Sequence, residues 1–138
     1  MENWKILENS NYAISDLGRL KNINTGRILK QHKNKKGYQR IRLVFKDGSK
    51  KGFFVHRLVA YNFNTNGSGD FVNHKNGIRD DNRIDNLEWV SAIENTNHAK
   101  YITRNFKIIS SKKIKMLYNE NKELSTHEFY ELILSNCT

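Results

Sequence analysis

Three side chains between Val72 and Ala99 could do chemistry together: His74, Asn95 and His98. His74 ends a short apolar run that reads as a strand. A neutral imidazole near physiological pH can take a proton from water, provided another group sets its tautomer. Asn95 and His98 lie three residues apart behind Ser91 and Glu94, which spell a capping box: hydroxyl and carboxylate satisfy the free amides of a helix start. Both side chains then share one helix face. A strand, a returning strand and such a helix suit a metal site that hydrolyses phosphodiesters. That reaction needs an activated water in line with the leaving oxygen and a cation to offset charge on the phosphate. The chain holds 19 asparagines, so no single Asn is informative; order and spacing carry the inference.

The elements that must position these groups follow from alternation and turn chemistry. Asn11 to Ser15, Arg19 to Ile23 and Arg27 to Lys30 read as short strands separated by Asp-Leu-Gly and Asn-Thr-Gly turns. Gln31 to Lys36 reads as a polar, basic loop. Tyr38 to Phe45 alternates, with Arg40 and Arg42 opposite Ile41 and Leu43, and Lys46 to Ser49 turns it into a returning strand, Lys50 to Val55. His56 to Asn62 reads as a short helix, with His56 buried in preference to a DNA contact. Asn64 to Gly69 is a flexible loop. Asn73 and His74 should point to opposite faces of their strand. Lys75 to Arg83 is too polar to be buried and should be an exposed loop, with Asp80, Asp81 and Asp85 as solvated charges. Asn86 to Val90 is the second strand, and the capped helix runs to about Tyr101. Asn105 to Ile109 is a connector. Ser110 to Asn121, and a helix capped by Ser125 and Glu128, complete an α+β chain: a small N-terminal antiparallel sheet, a ββα module and a short helical C-terminal segment.

The net charge of +10 favours a polyanionic partner, because Lys and Arg that neutralise phosphates release condensed counterions. Residues 1–52 hold 13 Lys and Arg against 4 Asp and Glu, whereas residues 53–101 hold 5 against 6. The grip on nucleic acid is therefore expected in the N-terminal part. Arg40, Arg42, Lys46, Lys50 and Lys51 should leave the hairpin outward, with Lys33, Lys35 and Lys36 in the preceding loop. The single cysteine, Cys137, excludes a disulfide framework or a four-cysteine zinc site within one chain. His74 and His98 lack two further soft ligands at zinc-finger spacing. No apolar run approaches the roughly 18 residues of a membrane span, and the N-terminus has no signal-peptide order, so a cytoplasmic protein without a membrane partner is expected. An RNA-binding reading lacks an aromatic platform.

The ordered pieces VNHKNG, DNR with NLEW, and EN with HA, between Val72 and Ala99, resemble the HNH nuclease module of the ββα-metal type, particularly that of phage and intron-encoded homing endonucleases. VHRLVAYNF at Val55–Phe63 is similar to the segment preceding that module. Trp4, Ile6, YAIS at Tyr12–Ser15 and Gly18-Arg19 resemble the small N-terminal DNA-associated module often joined to it. The resemblance implies a metal-dependent DNA endonuclease that leaves 5′-phosphate and 3′-hydroxyl ends. It implies His74 as general base and one Mg²⁺ or Mn²⁺ held by Asn73 and Asn95, with His98 as second helix ligand or phosphate contact. Asn86 matches the family's central Asn, grouped with the catalytic set, whose usual work is to pin the loop. Many relatives carry Asp or His where this chain has Asn73, which leaves open a DNA-binding protein that has lost cleavage. The resemblance divides the chain into residues 1–55, 56–104 and 105–138. The partner implied is double-stranded DNA, without a small-molecule cofactor; a monomer should nick and a homodimer could cut both strands. The two C-terminal helices could form a partial helix-turn-helix, although Glu128 and Glu131 suit packing or dimerisation better.

Overall fold

A computed structural model describes residues 1–64, 69–105 and 111–135. Cys137, the middle of the Asn64 to Gly69 loop and the connector after Asn105 lie outside the described residues. Among the described residues, eight strands and four α-helices follow in chain order: β1 Trp4–Ile6, β2 Tyr12–Ser15, β3 Leu20–Asn22, β4 His32–Lys33, β5 Gln39–Val44, β6 Lys50–Phe54, α1 Val55–Phe63, β7 Phe71–His74, β8 Leu87–Val90, α2 Ala92–Asn105, α3 Ser111–Glu120 and α4 Thr126–Ser135. Antiparallel pairing gives two three-stranded sheets, β1-β2-β3 and β4-β5-β6, and the two-stranded β7-β8 ribbon.

Two sequence expectations fail in the N-terminal half. Arg27 to Lys30 makes only one bridge, Ile28 to Lys21, flanked by backbone bonds from the Asn22 amide to Arg27 and the Leu29 amide to Leu20, and does not extend into a strand. His32 and Lys33, expected in a loop, instead pair with Arg40 and Gln39, since the Asn34 side chain accepts from the Lys36 and Tyr38 amides and closes a hairpin. The β5-β6 hairpin forms as expected. Its turn is held by the Ser49 amide donating to Asp47.

The core explains why pieces this small are ordered. Alternation along β5 buries Ile41 and Leu43 and exposes Arg40, Arg42 and Val44. Those buried residues join Leu7, Ile14 and Leu20 of the first sheet, Val55, Leu58, Val59 and Ala60 of α1, and Val72 and Leu87 of the ribbon in one apolar cluster. Helix α1 touches β2, β5, β6, β7 and β8, so each layer covers a face that would otherwise meet water.

A second cluster lies behind the ribbon. Ile114 and Tyr118 of α3 meet Phe129, Tyr130 and Ile133 of α4, and Ile78 of the β7 to β8 connection inserts among them. The Tyr118 hydroxyl donates to the Asp85 carbonyl and the Tyr130 hydroxyl to the Lys75 carbonyl. Arg83 donates to Asn119 at 2.6 Å, and Lys122 pairs with Asp85. The C-terminal helices thus pack on the connection. The fully buried Leu43 sits where both sheets and α1 meet. Leu43→Ala should cost about 2–5 kcal/mol, measured by urea denaturation, with sheet and helix signals melting in a single transition.

Candidate functional site

The β7 to β8 connection is polar in sequence yet buried in the structure. Asn76 and Asn86 are fully inaccessible, and Ile78, Asp81 and Asn82 are also buried. This overturns the expectation of an exposed loop, and the reason is hydrogen-bond satisfaction. Asn86 Oδ1 accepts the Asn76 amide at 3.0 Å, and its Nδ2 donates to the Asp81 carbonyl at 2.8 Å. Asn76 Nδ2 donates to Asp81, and its Oδ1 accepts from the Ile78 amide. Arg83 grips Asp81 with two parallel bonds of 2.8 Å. Burial pushes the Asp81 carboxyl up, but the Arg83 fork and the Asn76 amide outweigh it and hold the group below its ordinary value. Asp80 meets Lys33 and Lys115, and Asp85 meets Lys122, so all three carboxylates are partnered where solvated charges were expected.

That frame delivers a histidine to the end of β7. A turn follows it at once, with Gly77 at φ 73° donating its amide to the His74 carbonyl. The His74 ring is buried beside Tyr38 and His56, with centroids 6.0 and 5.0 Å away. Its Nε2 stands 2.8 Å from Asn82 Oδ1. A carbonyl oxygen only accepts, so Nε2 carries the proton and Nδ1 keeps its lone pair. Burial lowers the His74 pKa, against the opposing pull of the Asn82 bond, and keeps the ring neutral at physiological pH. His56 is buried, as expected, and burial with the nearby His74 pushes it down to about 3.

Asn73, His74, Asn95 and His98 border one groove, together with Tyr38, Gly77 and Arg79. Asn73 donates Nδ2 to Glu88 at 2.8 Å, which leaves its Oδ1 as a free acceptor. Glu88 is steadied in turn by the Thr126 hydroxyl of α4 at 3.1 Å. Asn95 and His98 come from α2, whose capping box forms as read: the Ser91 amide donates to Glu94 at 2.7 Å and the Glu94 amide to Ser91 Oγ at 3.2 Å. The His98 ring lies tilted against Tyr130, with centroids 4.8 Å apart, and its Nε2 is buried without a hydrogen-bond partner among the described residues. Burial and His74 lower the His98 pKa to about 4, so the ring offers a lone pair and no charge. Among the described residues no three His, Cys, Asp or Glu side chains converge as a metal cluster. The donors bordering this groove are two amides and an imidazole, a neutral set that fits a hard divalent ion weakly until a phosphate adds charge.

Asn86 stands outside the groove. Both ends of its amide are spent on the frame, so its part is to hold the connection. Of the proposed DNA contacts, Arg40, Arg42 and Lys50 share the outer face of β5-β6, where Arg42 lies opposite Gly52 and Arg40 stacks on Phe54 at 4.8 Å. Lys46, Lys35 and Lys36 are exposed on neighbouring turns. Lys51 pairs with Leu43 and so leaves the sheet on the opposite face, because side chains alternate. Lys33 is held at 2.8 Å by Asp80. Sequence reasoning missed Tyr38, Arg79 and Asn82. Arg79 lies over the Tyr38 ring at 5.1 Å and donates to the Lys36 carbonyl at 2.7 Å, placing a cation at the groove.

Residues 2–44 match the NUMOD4 motif and residues 53–97 match the HNH endonuclease family. The solved structure described as DNA binding and cleavage by the HNH homing endonuclease I-HmuI superposes with a TM-score of 0.62 and 34% identity, over 85% of this chain and 66% of that one. The chain belongs to the HNH homing endonucleases. Among relatives of this family, DNA endonuclease I-HmuI of Bacillus phage SP01 is 42% identical over 91 residues, which is 64% of this chain and 52% of the relative. Two uncharacterised HNH endonucleases of Acanthamoeba polyphaga mimivirus are 46% identical over 64% of this chain and 44% identical over 80% of it. The chain spans only 23% and 33% of those two relatives' lengths. HNH nucleases generally use a divalent metal ion, in keeping with the donors that border the groove.

The frame makes two predictions. Asn86→Ala leaves the Asn76 amide and the Asp81 carbonyl buried without partners, and should cost about 2–4 kcal/mol in thermal or urea denaturation. Asp81, with its folded pKa lowered, contributes stability that is fully present above its unfolded value near about 3.9 and is lost as pH falls through the lower folded value. Urea midpoints measured from pH 6 downward should fall through that acid range, and Asp81→Asn should flatten the fall while lowering stability at pH 7.

Proposed function

We propose that this chain is a divalent-metal-dependent endonuclease that hydrolyses phosphodiester bonds in double-stranded DNA, with His74 as general base. The observation that supports this reading is the meeting of Asn73, His74, Asn95 and His98 on one groove, with the His74 tautomer set by Asn82. His74 Nδ1 accepts the proton of the attacking water, and burial keeps the ring neutral and so able to accept it. Asn73 Oδ1, the Asn95 amide and His98 Nε2 would hold one Mg²⁺ or Mn²⁺. When bound, that ion stabilises charge on the scissile phosphate and the leaving oxygen. Arg79 steadies a phosphate oxygen at the rim. The outer face of β5-β6 tracks the DNA backbone through Arg40, Arg42 and Lys50, helped by Lys35, Lys36 and Lys46, while Lys33 and Lys51 serve secondarily.

The chain divides into a basic DNA-gripping part at residues 1–55, the nuclease module at 56–104 and the helical segment at 105–138. One groove cuts one strand, so a monomer nicks and a symmetric dimer could cut both. Asn73, a neutral amide where the family resemblance implies Asp or His in many members, favours a second reading: a DNA-binding protein that no longer cleaves.

Supercoiled plasmid with Mg²⁺ or Mn²⁺ should relax to nicked circles, and His74→Ala should slow this by about a hundredfold or more while duplex binding persists. Binding by the wild-type chain without cleavage in either ion would establish the second reading. The same binding assay across salt should show the slope of log K against log salt falling by about 1 for each of Arg42→Ala and Lys50→Ala.

A further inference from the structure

A neutral imidazole has two tautomers, and only one offers Nδ1 as a base. The hydrogen bond made by the other nitrogen decides between them. Here the deciding atom is Asn82 Oδ1, at 2.8 Å, on a side chain that is itself buried at 4% exposure. If the proton moved to Nδ1, Oδ1 would face a lone pair in a site with little water, and the groove would meet an N–H where it needs a base.

Asn82 is in turn seated by a distant part of the chain. The turn between β2 and β3 carries Gly18 at φ +80°, and a Cβ built there would stand 2.8 Å from Asn82 Cβ and 3.1 Å from the Asn82 carbonyl oxygen. A glycine is therefore needed twice over, for the backbone angle and for the space. The turn is fixed on several sides. Gly18 donates its amide to the Ser15 carbonyl at 3.0 Å and accepts from Gln31 Nε2 at 2.7 Å. The fully buried Ser15 Oγ accepts the Leu17 and Arg19 amides. The Asp16 carbonyl accepts the Ile84 amide at 2.8 Å, two residues past Asn82. The N-terminal turn therefore holds the connection at the asparagine and two residues beyond it.

We propose that Asn82 is the positioning residue for the general base and that Gly18 is its seat, so the N-terminal part sets the working tautomer of His74. The inference rests on His74 being the base. Its first measurement does not depend on cleavage: ¹⁵N spectra of histidine-labelled full-length protein should place the His74 proton on Nε2. In Asn82→Leu the His74 signals should move to a mixture of tautomers, and Asn82→Asp, which keeps an acceptor oxygen, should restore the Nε2–H form. Gly18→Ala should reproduce the Asn82→Leu spectrum in part. In single-turnover cleavage, Asn82→Leu and Gly18→Ala should lose about ten- to a hundredfold in rate, with duplex affinity within about twofold. Unchanged His74 signals in a folded Asn82→Leu or Gly18→Ala protein overturn the proposal, as does a mixed tautomer in wild type. If Asn82→Leu fails to fold, Gly18→Ala and Asn82→Asp decide. A wild-type chain that shows the Nε2–H form yet never cuts DNA refutes the nuclease reading and leaves the positioning intact.

Discussion

The buried amide network of Asn76, Asp81 and Asn86 is the constraint on which the site depends. A connection this polar belongs at a surface, because an unpartnered buried amide or carbonyl costs about 1–3 kcal/mol. It goes inside because its polar groups find partners in one another and in Arg83. Once inside, it has few ways to rearrange, since each bond it could break would leave an unpaired group. A histidine at its mouth and an asparagine near its middle, Asn82, thereby acquire fixed positions that flexible loops could not give them. On the proposed function, the same rigidity would help a neutral groove, because donors without net charge hold a cation weakly, and more weakly still if they must be gathered first.

Much of this was legible in the chain. The alternation of Arg40, Ile41, Arg42 and Leu43 sorted the two faces of β5, and Ser91 with Glu94 marked the start of α2 within a residue. The set bordering the groove was legible as well, because a helix face brings Asn95 and His98 together whatever the tertiary contacts. Misreadings arose where polarity stood proxy for exposure. The composition of residues 75–83 points to solvent, and side-chain hydrogen bonds two to ten residues apart within the connection reverse that. Lys51 was grouped with its neighbour Lys50 by charge, although a strand sends adjacent side chains opposite ways. Arg79, Asn82 and Tyr38 escaped notice for a different reason: their roles come from what the fold sets beside them, and no local spacing encodes that.

Charge and chemistry are divided along the chain but not in space. The basic residues concentrate before Phe53 and the groove lies after Val72, yet one apolar cluster runs from Leu7 to Leu87 through α1. The outer face of β5 and the groove at His74 are therefore tied to one core. On the proposed function, a duplex held by the basic hairpin would thereby also be oriented toward the groove.

The two tyrosines of the C-terminal helices bear on how such a protein could change over evolutionary time. Tyr118 and Tyr130 cap the Asp85 and Lys75 carbonyls, and the Tyr130 ring also packs against His98. A helical tail in this position is not a cargo to be exchanged freely for another recognition element. Any replacement must bring its own hydroxyls to those two carbonyls and its own ring to His98, so exchange of the tail is constrained by the back of the groove.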